Sequence, residues 1–145
     1  MAEPLTVLVA ARDEEDRVEH TVRALRDTFP GARIVVADDG SRDATTLAAT
    51  RAGAEVVRLP RLGKGQALTL AERELPPGRL LLVDADLDGD LAPLLENEED
   101  LAVAAFAERR PAPQRRAYWR PAIAIAVVAA AAGIRVVYLR TGLVM

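Results

Sequence analysis

Four short apolar runs, LTVLVAA from residue 5, ARIVVA from residue 32, AEVVRL from residue 54 and RLLLV from residue 79, recur along the first 83 residues of the chain. Each is too short for an ordinary helix and is rich in Val, Ile and Leu, as a strand buried on both faces would be. The segments between them have the other period. In ARDEEDRVEHTVRALRDTF, Val18, Val22, Leu25 and Phe29 fall on one helical face, Asp13 is placed to cap, and Glu14, Glu15 and Asp16 sit where the helix dipole favours anions. Pro30-Gly31 stops that helix. A second is expected from DDGSRDATT to about Arg51 with Ser41 or Asp43 as its cap, and a third opens at Gly63-Lys64-Gly65 and ends near Pro76-Pro77. Strands at residues 5–10, 32–37, 54–59 and 79–83 that alternate with helices predict an α/β fold: a mostly parallel, Rossmann-like sheet with helices on both faces.

Such a sheet needs a core, and with aromatics at 3% the core must be built from Ala, Val, Leu and Ile. The absence of cysteine excludes disulfides, thiolate zinc sites and a cysteine nucleophile, and fits a reducing cytoplasm. The first apolar run is only seven residues long and has no basic flank, which suits a strand better than a signal peptide. Charge is divided along the chain. Residues 1–108 hold all 22 acidic residues and 12 of the 19 basic ones, whereas residues 109–145 hold seven arginines and no acid. The basic part is drawn to the acidic part, and a membrane surface or a partner chain is a further contact it allows. A fifth strand is expected at residues 101–106, and an Arg- and Pro-rich connector at 109–121. An Ala-rich helix then ends at Gly133, before a last strand at 135–139. The organisation expected is therefore a core at 1–108, the connector, and a helix and strand at 122–145 that pack on the core. A membrane span over 121–139 is the alternative, but its uncharged centre, residues 122–134, is short of the roughly 20 residues needed. There are no internal repeats.

Ligand sites in parallel α/β sheets lie beyond the carboxyl ends of the strands. Three acidic or polar stretches fall there: AARDE, DDGS and DADLDGD. The last puts Asp84, Asp86, Asp88 and Asp90 at every second position, a repulsive arrangement unless a cation or solvent relieves it. As an EF-hand loop it fails at the twelfth position, which is Leu95, and it is entered from a strand. As a D-x-D pair, Asp84 and Asp86 suit Mg2+ or Mn2+ shared with diphosphate oxygens, which leaves Asp88 and Asp90 to turn and capping chemistry. DDGS reads either as a turn and helix cap or as a nucleoside contact. GKG is a loop or a phosphate cradle with Lys64 as its point charge, and no Walker A pattern is present. His20 reads as an ordinary surface residue. Arg109, Arg110, Arg115, Arg116 and Arg120, with Tyr118 and Trp119, read as a solvated connector rather than a nucleic-acid surface.

VLVAARDEE, VVADDGSRDAT, AGAEVVRLPRLGKGQAL and LLLVDADL, in this order, resemble the family 2 glycosyltransferases of the GT-A fold, in the branch that includes dolichyl-phosphate-mannose synthase and glucosyl-3-phosphoglycerate synthase. The resemblance covers roughly residues 5–106. It implies a site for a nucleotide-diphosphate sugar, a UDP- or GDP-sugar, and a divalent cation. It places the backbone at Ala10 and Ala11, with Glu14, at the nucleoside, and Asp39 with Asp38 beside it at the base. Lys64 falls near the phosphates and Asp84 and Asp86 at the metal. Asp13 stands where the family usually has Asn and serves equally well as a cap. Family members continue into an acceptor-binding half, which in inverting members carries a carboxylate base; here no Asp or Glu follows Glu108. The function expected is glycosyl transfer to an unknown acceptor, with the acceptor half and base missing from this chain. The alternatives are a noncatalytic nucleotide-sugar-binding remnant, half of a split enzyme, and a membrane-anchored accessory protein.

Overall fold

The computed structural model describes residues 4–86, Ala92 and the strand backbones at 101–106 and 136–141. The chain divides into two compact units, residues 1–87 and 88–145. In the first unit the order is β1 (Leu5–Ala11), α1 (Val18–Thr28), β2 (Arg33–Asp39), α2 (Thr45–Arg51), β3 (Glu55–Leu59), α3 (Lys64–Glu72) and β4 (Arg79–Asp84). All pairings are parallel and the strand order is β3-β2-β1-β4. The expected α/β class and its four strands are therefore present. In the second unit β5 (Leu101–Phe106) pairs in parallel with β6 (Val136–Thr141), with Leu101 opposite Val136. The last strand thus starts one residue later than the sequence pattern suggests and runs to Thr141. The expected connector at 109–121 and the helix before Gly133 lie outside the described residues, as do Asp88 and Asp90.

Every residue of β1 from Thr6 to Val9 is buried, so both faces of the sheet are covered there. On one face Leu8, Val35 and Ala37 cluster with Ala71 of α3, and Val57, Leu59, Leu68 and Leu75 close around them. Strand alternation turns Val7, Val9 and Val36 to the other face. These three are fully buried, as are Val18 and Val22 of α1. At β4 the two faces differ: Leu81 and Val83 are buried, but Leu80 and Leu82 are 42% and 56% exposed. Among the described residues no helix is long and apolar enough to cross a membrane.

Two helix starts differ from expectation. The first helix begins at Val18, five residues after Asp13, and Asp13 does not cap it. Asp13 instead takes φ 54° and its carboxylate accepts the Arg42 amide at 2.8 Å. The amides of the segment after β1 have partners in the next loop and at the start of α2. Asp13 N–H donates to Ser41 Oγ at 3.0 Å, Glu14 N–H to Thr45 Oγ1 at 2.8 Å and Glu15 N–H to Asp43 Oδ2 at 3.2 Å. The second helix starts at Thr45 after Ala44, a residue that cannot cap. Asp43 accepts the Thr45 amide at 2.9 Å and Glu15 accepts the Ala44 amide at 2.9 Å, so a neighbouring loop shares the work of a cap.

Candidate functional site

The chain runs outward from β1 through β2 to β3 and then returns to the other side of β1 as β4. The crevice at such a reversal, beyond the carboxyl ends of β1 and β4, is where open α/β sheets bind ligands. Ala10 and Ala11 end β1 at that point. Register places Ala10 beside Asp84 and Ala11 beside Asp38, and the Ala85 amide donates to the Ala10 carbonyl at 3.1 Å. The turn after β4 is also pinned by α1, whose Thr21 hydroxyl donates to the Ala85 carbonyl at 2.5 Å.

Adjacent aspartates at the end of β2 serve opposite faces. Asp38 is fully buried; Oδ1 accepts the Ser41 amide at 2.9 Å and Oδ2 accepts the Thr46 hydroxyl. Asp39, 4% exposed, lies on the α3 side. Its Oδ1 accepts the Leu62 amide at 2.7 Å, the Gly63 amide donates to both of its oxygens at 3.1 and 3.2 Å, and Arg12 Nη1 stands 3.5 Å from Oδ2. Gly40 allows this approach: with φ 69°, a Cβ there would meet the Arg61 backbone nitrogen at 2.9 Å.

Gly63, at φ 99°, precedes α3, and Lys64 is the first residue of that helix. The Lys64 ammonium is paired with Asp84 Oδ1, and Arg17 Nη1 lies 3.5 Å from Asp86 Oδ2. These pairs are solvent-facing, with the Asp84 side chain 35% exposed. Glu14 is half-buried nearby. Burial first, and then the charge of Asp86, push its carboxyl above the usual range; Arg17 opposes this, and Asp43 and Asp84 add to it. At Asp43 burial again pushes up, but hydrogen bonds from the Thr45 hydroxyl and amide and the Glu15 amide prevail and hold the carboxyl low.

The fold thus gathers Ala10, Ala11, Glu14, Asp38, Asp39, Lys64, Asp84 and Asp86 at one end of one sheet. Sequence reasoning missed Thr45, which is fully buried, and the amides of Leu62 and Gly63. Its signal was a run of Ser and Thr in DDGSRDATT, which reads equally as helix-start chemistry. Among the described residues no three carboxylate or imidazole groups stand close enough to hold a metal by themselves.

A family model described as glycosyl transferase family 2 matches residues 6–136. Protein RfbJ of Shigella flexneri is 28% identical over 111 residues, which are 72% of this chain and 86% of that protein. Among solved structures, glucosyl-3-phosphoglycerate synthase from Mycobacterium tuberculosis with Mn2+, UDP-glucose and phosphoglyceric acid is similar at a TM-score of 0.64 and 26% identity, over 85% of this chain and 50% of that one. The same enzyme with Mn2+, UDP and glucosyl-3-phosphoglycerate gives 0.63 and 25%, over 92% and 53%. This chain spans about half the length of those structures.

Proposed function

The chain belongs to glycosyl transferase family 2, and from that membership together with the site geometry we infer that it binds a nucleoside-diphosphate sugar with a divalent cation, as donor for transfer to an acceptor. The observation that carries this reading is the meeting of Asp84, Lys64 and the Asp39–Gly63 contact at the sheet's reversal point. UDP and Mn2+ in the similar solved structures support a uridine nucleotide and a manganese-type ion.

The residues present fit such an ion. Asp84 and Asp86 offer hard oxygen donors from an accessible strand end, and two carboxylates completed by phosphate oxygens and water is the pattern of Mg2+ or Mn2+ sites. When bound, the cation offsets the charge that develops on a departing nucleoside diphosphate. The chain's own groups do the rest. Ala10 and Ala11 present backbone to the nucleoside, Glu14 and Asp39 line the base and ribose side, and Asp38 holds the turn beneath them. Lys64, which pairs with Asp84, would place its ammonium against the diphosphate.

Titration calorimetry with UDP- and GDP-sugars, with and without Mn2+, tests this. Binding is expected with Mn2+ and is expected to be weak without it, because bare Asp84 and Asp86 repel the diphosphate. Equal affinity with and without Mn2+, or no binding at all, would overturn the proposal.

A further inference from the structure

We propose that Asp39 acts on the diphosphate half of the donor, as a positioning residue for Lys64, in addition to any contact it makes with the base. This inference rests on the donor-site reading above. Asp39 is buried, and its oxygens are taken up chiefly by the amides of Leu62 and Gly63, the two residues before Lys64. An anionic acceptor that receives consecutive amides fixes the local backbone more firmly than a neutral one. The segment it fixes is the start of α3, and Lys64 projects from the first position of that helix.

The attachment is reinforced on both strands. Asp39 is the register partner of Leu59, so the end of β2 and the segment leaving β3 already run side by side. The close approach at Gly40 brings the two backbones together again at Arg61. On the opposite side Lys64 reaches Asp84 at the end of β4. A continuous path, β2 end to α3 start to β4 end, therefore crosses the crevice above β1, and Asp39 is its buried end. If Asp39 is released, the Lys64 backbone loses its anchor although Lys64 itself is unchanged.

The test separates phosphate from base by using a probe that has no base. Affinities of the full chain for Mn2+-pyrophosphate and Mn2+-UDP are measured for wild type, Asp39→Asn, Lys64→Met, the double variant and Gly63→Ala. Asn keeps the shape but removes the charge and turns one donor toward an amide. Gly63→Ala strains the backbone at φ 99° with open space around the new Cβ, so it loosens the same link without touching Asp39. Circular dichroism and thermal melting establish that each variant is folded.

Asp39→Asn and Gly63→Ala are each expected to weaken Mn2+-pyrophosphate binding by about five- to tenfold, and the Asp39→Asn/Lys64→Met double variant to be little worse than Lys64→Met, because the two residues act as one unit. Pyrophosphate affinity unchanged in Asp39→Asn while UDP affinity falls would confine Asp39 to the base and overturn the proposal. So would losses from Asp39→Asn and Lys64→Met that simply multiply. A wild-type chain that binds neither probe with Mn2+ would instead refute the donor-site reading, and this inference with it.

Discussion

The ends of β2 and β4 each carry two aspartates, but the protein treats them in opposite ways. At β2, Asp38 and Asp39 are almost wholly buried and receive amide and hydroxyl donors from their own neighbourhood, to which Arg12, 3.5 Å from Asp39, only adds. At β4, Asp84 and Asp86 face solvent and are balanced by the mobile-ended cations Lys64 and Arg17. A carboxylate held by fixed backbone dipoles is structure; one held by a flexible ammonium in water can exchange that partner at low cost. One end is built before any ligand arrives and the other is left adjustable.

The largest effect expected from breaking this contrast is on binding. Asp84→Ala together with Asp86→Ala should reduce Mn2+-dependent donor affinity by about 100-fold or more, the scale of losing charge pairing at a diphosphate, as read by calorimetry. Asp88→Ala and Asp90→Ala should matter less, and equal losses at all four would favour a calcium-type loop. The same Asp84 and Asp86 changes should alter folding stability by no more than about 1 kcal/mol, because exposed pairs contribute little.

Asp38→Ala should do the reverse. It strips the buried Ser41 amide and Thr46 hydroxyl of their acceptor and should cost about 2–3 kcal/mol in urea unfolding. A loss under about 0.5 kcal/mol, the ordinary range for a surface change, would show that the β2 end is not the rigid one.

The smallest effects are in pH dependence, with opposite signs at the two ends. Glu14, beside the β4 carboxylates, is raised in the folded protein, so folding takes up protons there and its contribution becomes unfavourable as pH rises past the unfolded value of 4.5. Glu14→Gln should melt slightly higher than wild type at neutral pH, with the gain vanishing below that value. Asp43, in the β2 loop, is lowered, so its contribution is present above the unfolded value of 3.8 and lost as pH falls through the folded one. Asp43→Asn should melt lower than wild type at neutral pH and converge with it in acid. Melting curves that shift in the same direction for both variants would contradict the contrast.

The strands were readable because a parallel strand buried on both faces has to be a short apolar run, and the four runs fall within a residue or two of β1 to β4. The helix starts were less so. The DEED stretch after β1 satisfies every local rule for a helix N-terminus, yet α1 begins only at Val18: the Asp13 carboxylate that would have capped it accepts the Arg42 amide instead, and the Glu15 amide it would have received goes to Asp43. No local pattern carries that information, since the partners are 29 and 28 residues away in sequence.

What the sequence determined by itself was where the charged groups fall along the chain: D-D and D-x-D at the ends of the second and fourth strands and G-K-G at the start of the third helix, in an order that resembles one family. What only the tertiary structure decided was how each would be used. Asp38 and Asp39 are indistinguishable as letters, but the pleat of β2 sends neighbours to opposite faces. One therefore closes a turn among Ser41 and Thr46, and the other reaches across to hold the start of α3. Likewise Asp84 becomes the partner of Lys64 only because β4 returns beside β1 and ends level with Ala10 on the face that α3 covers. Composition and spacing place charges along a chain; whether a charge is buried and fixed or exposed and exchangeable depends on which surfaces the fold brings against it.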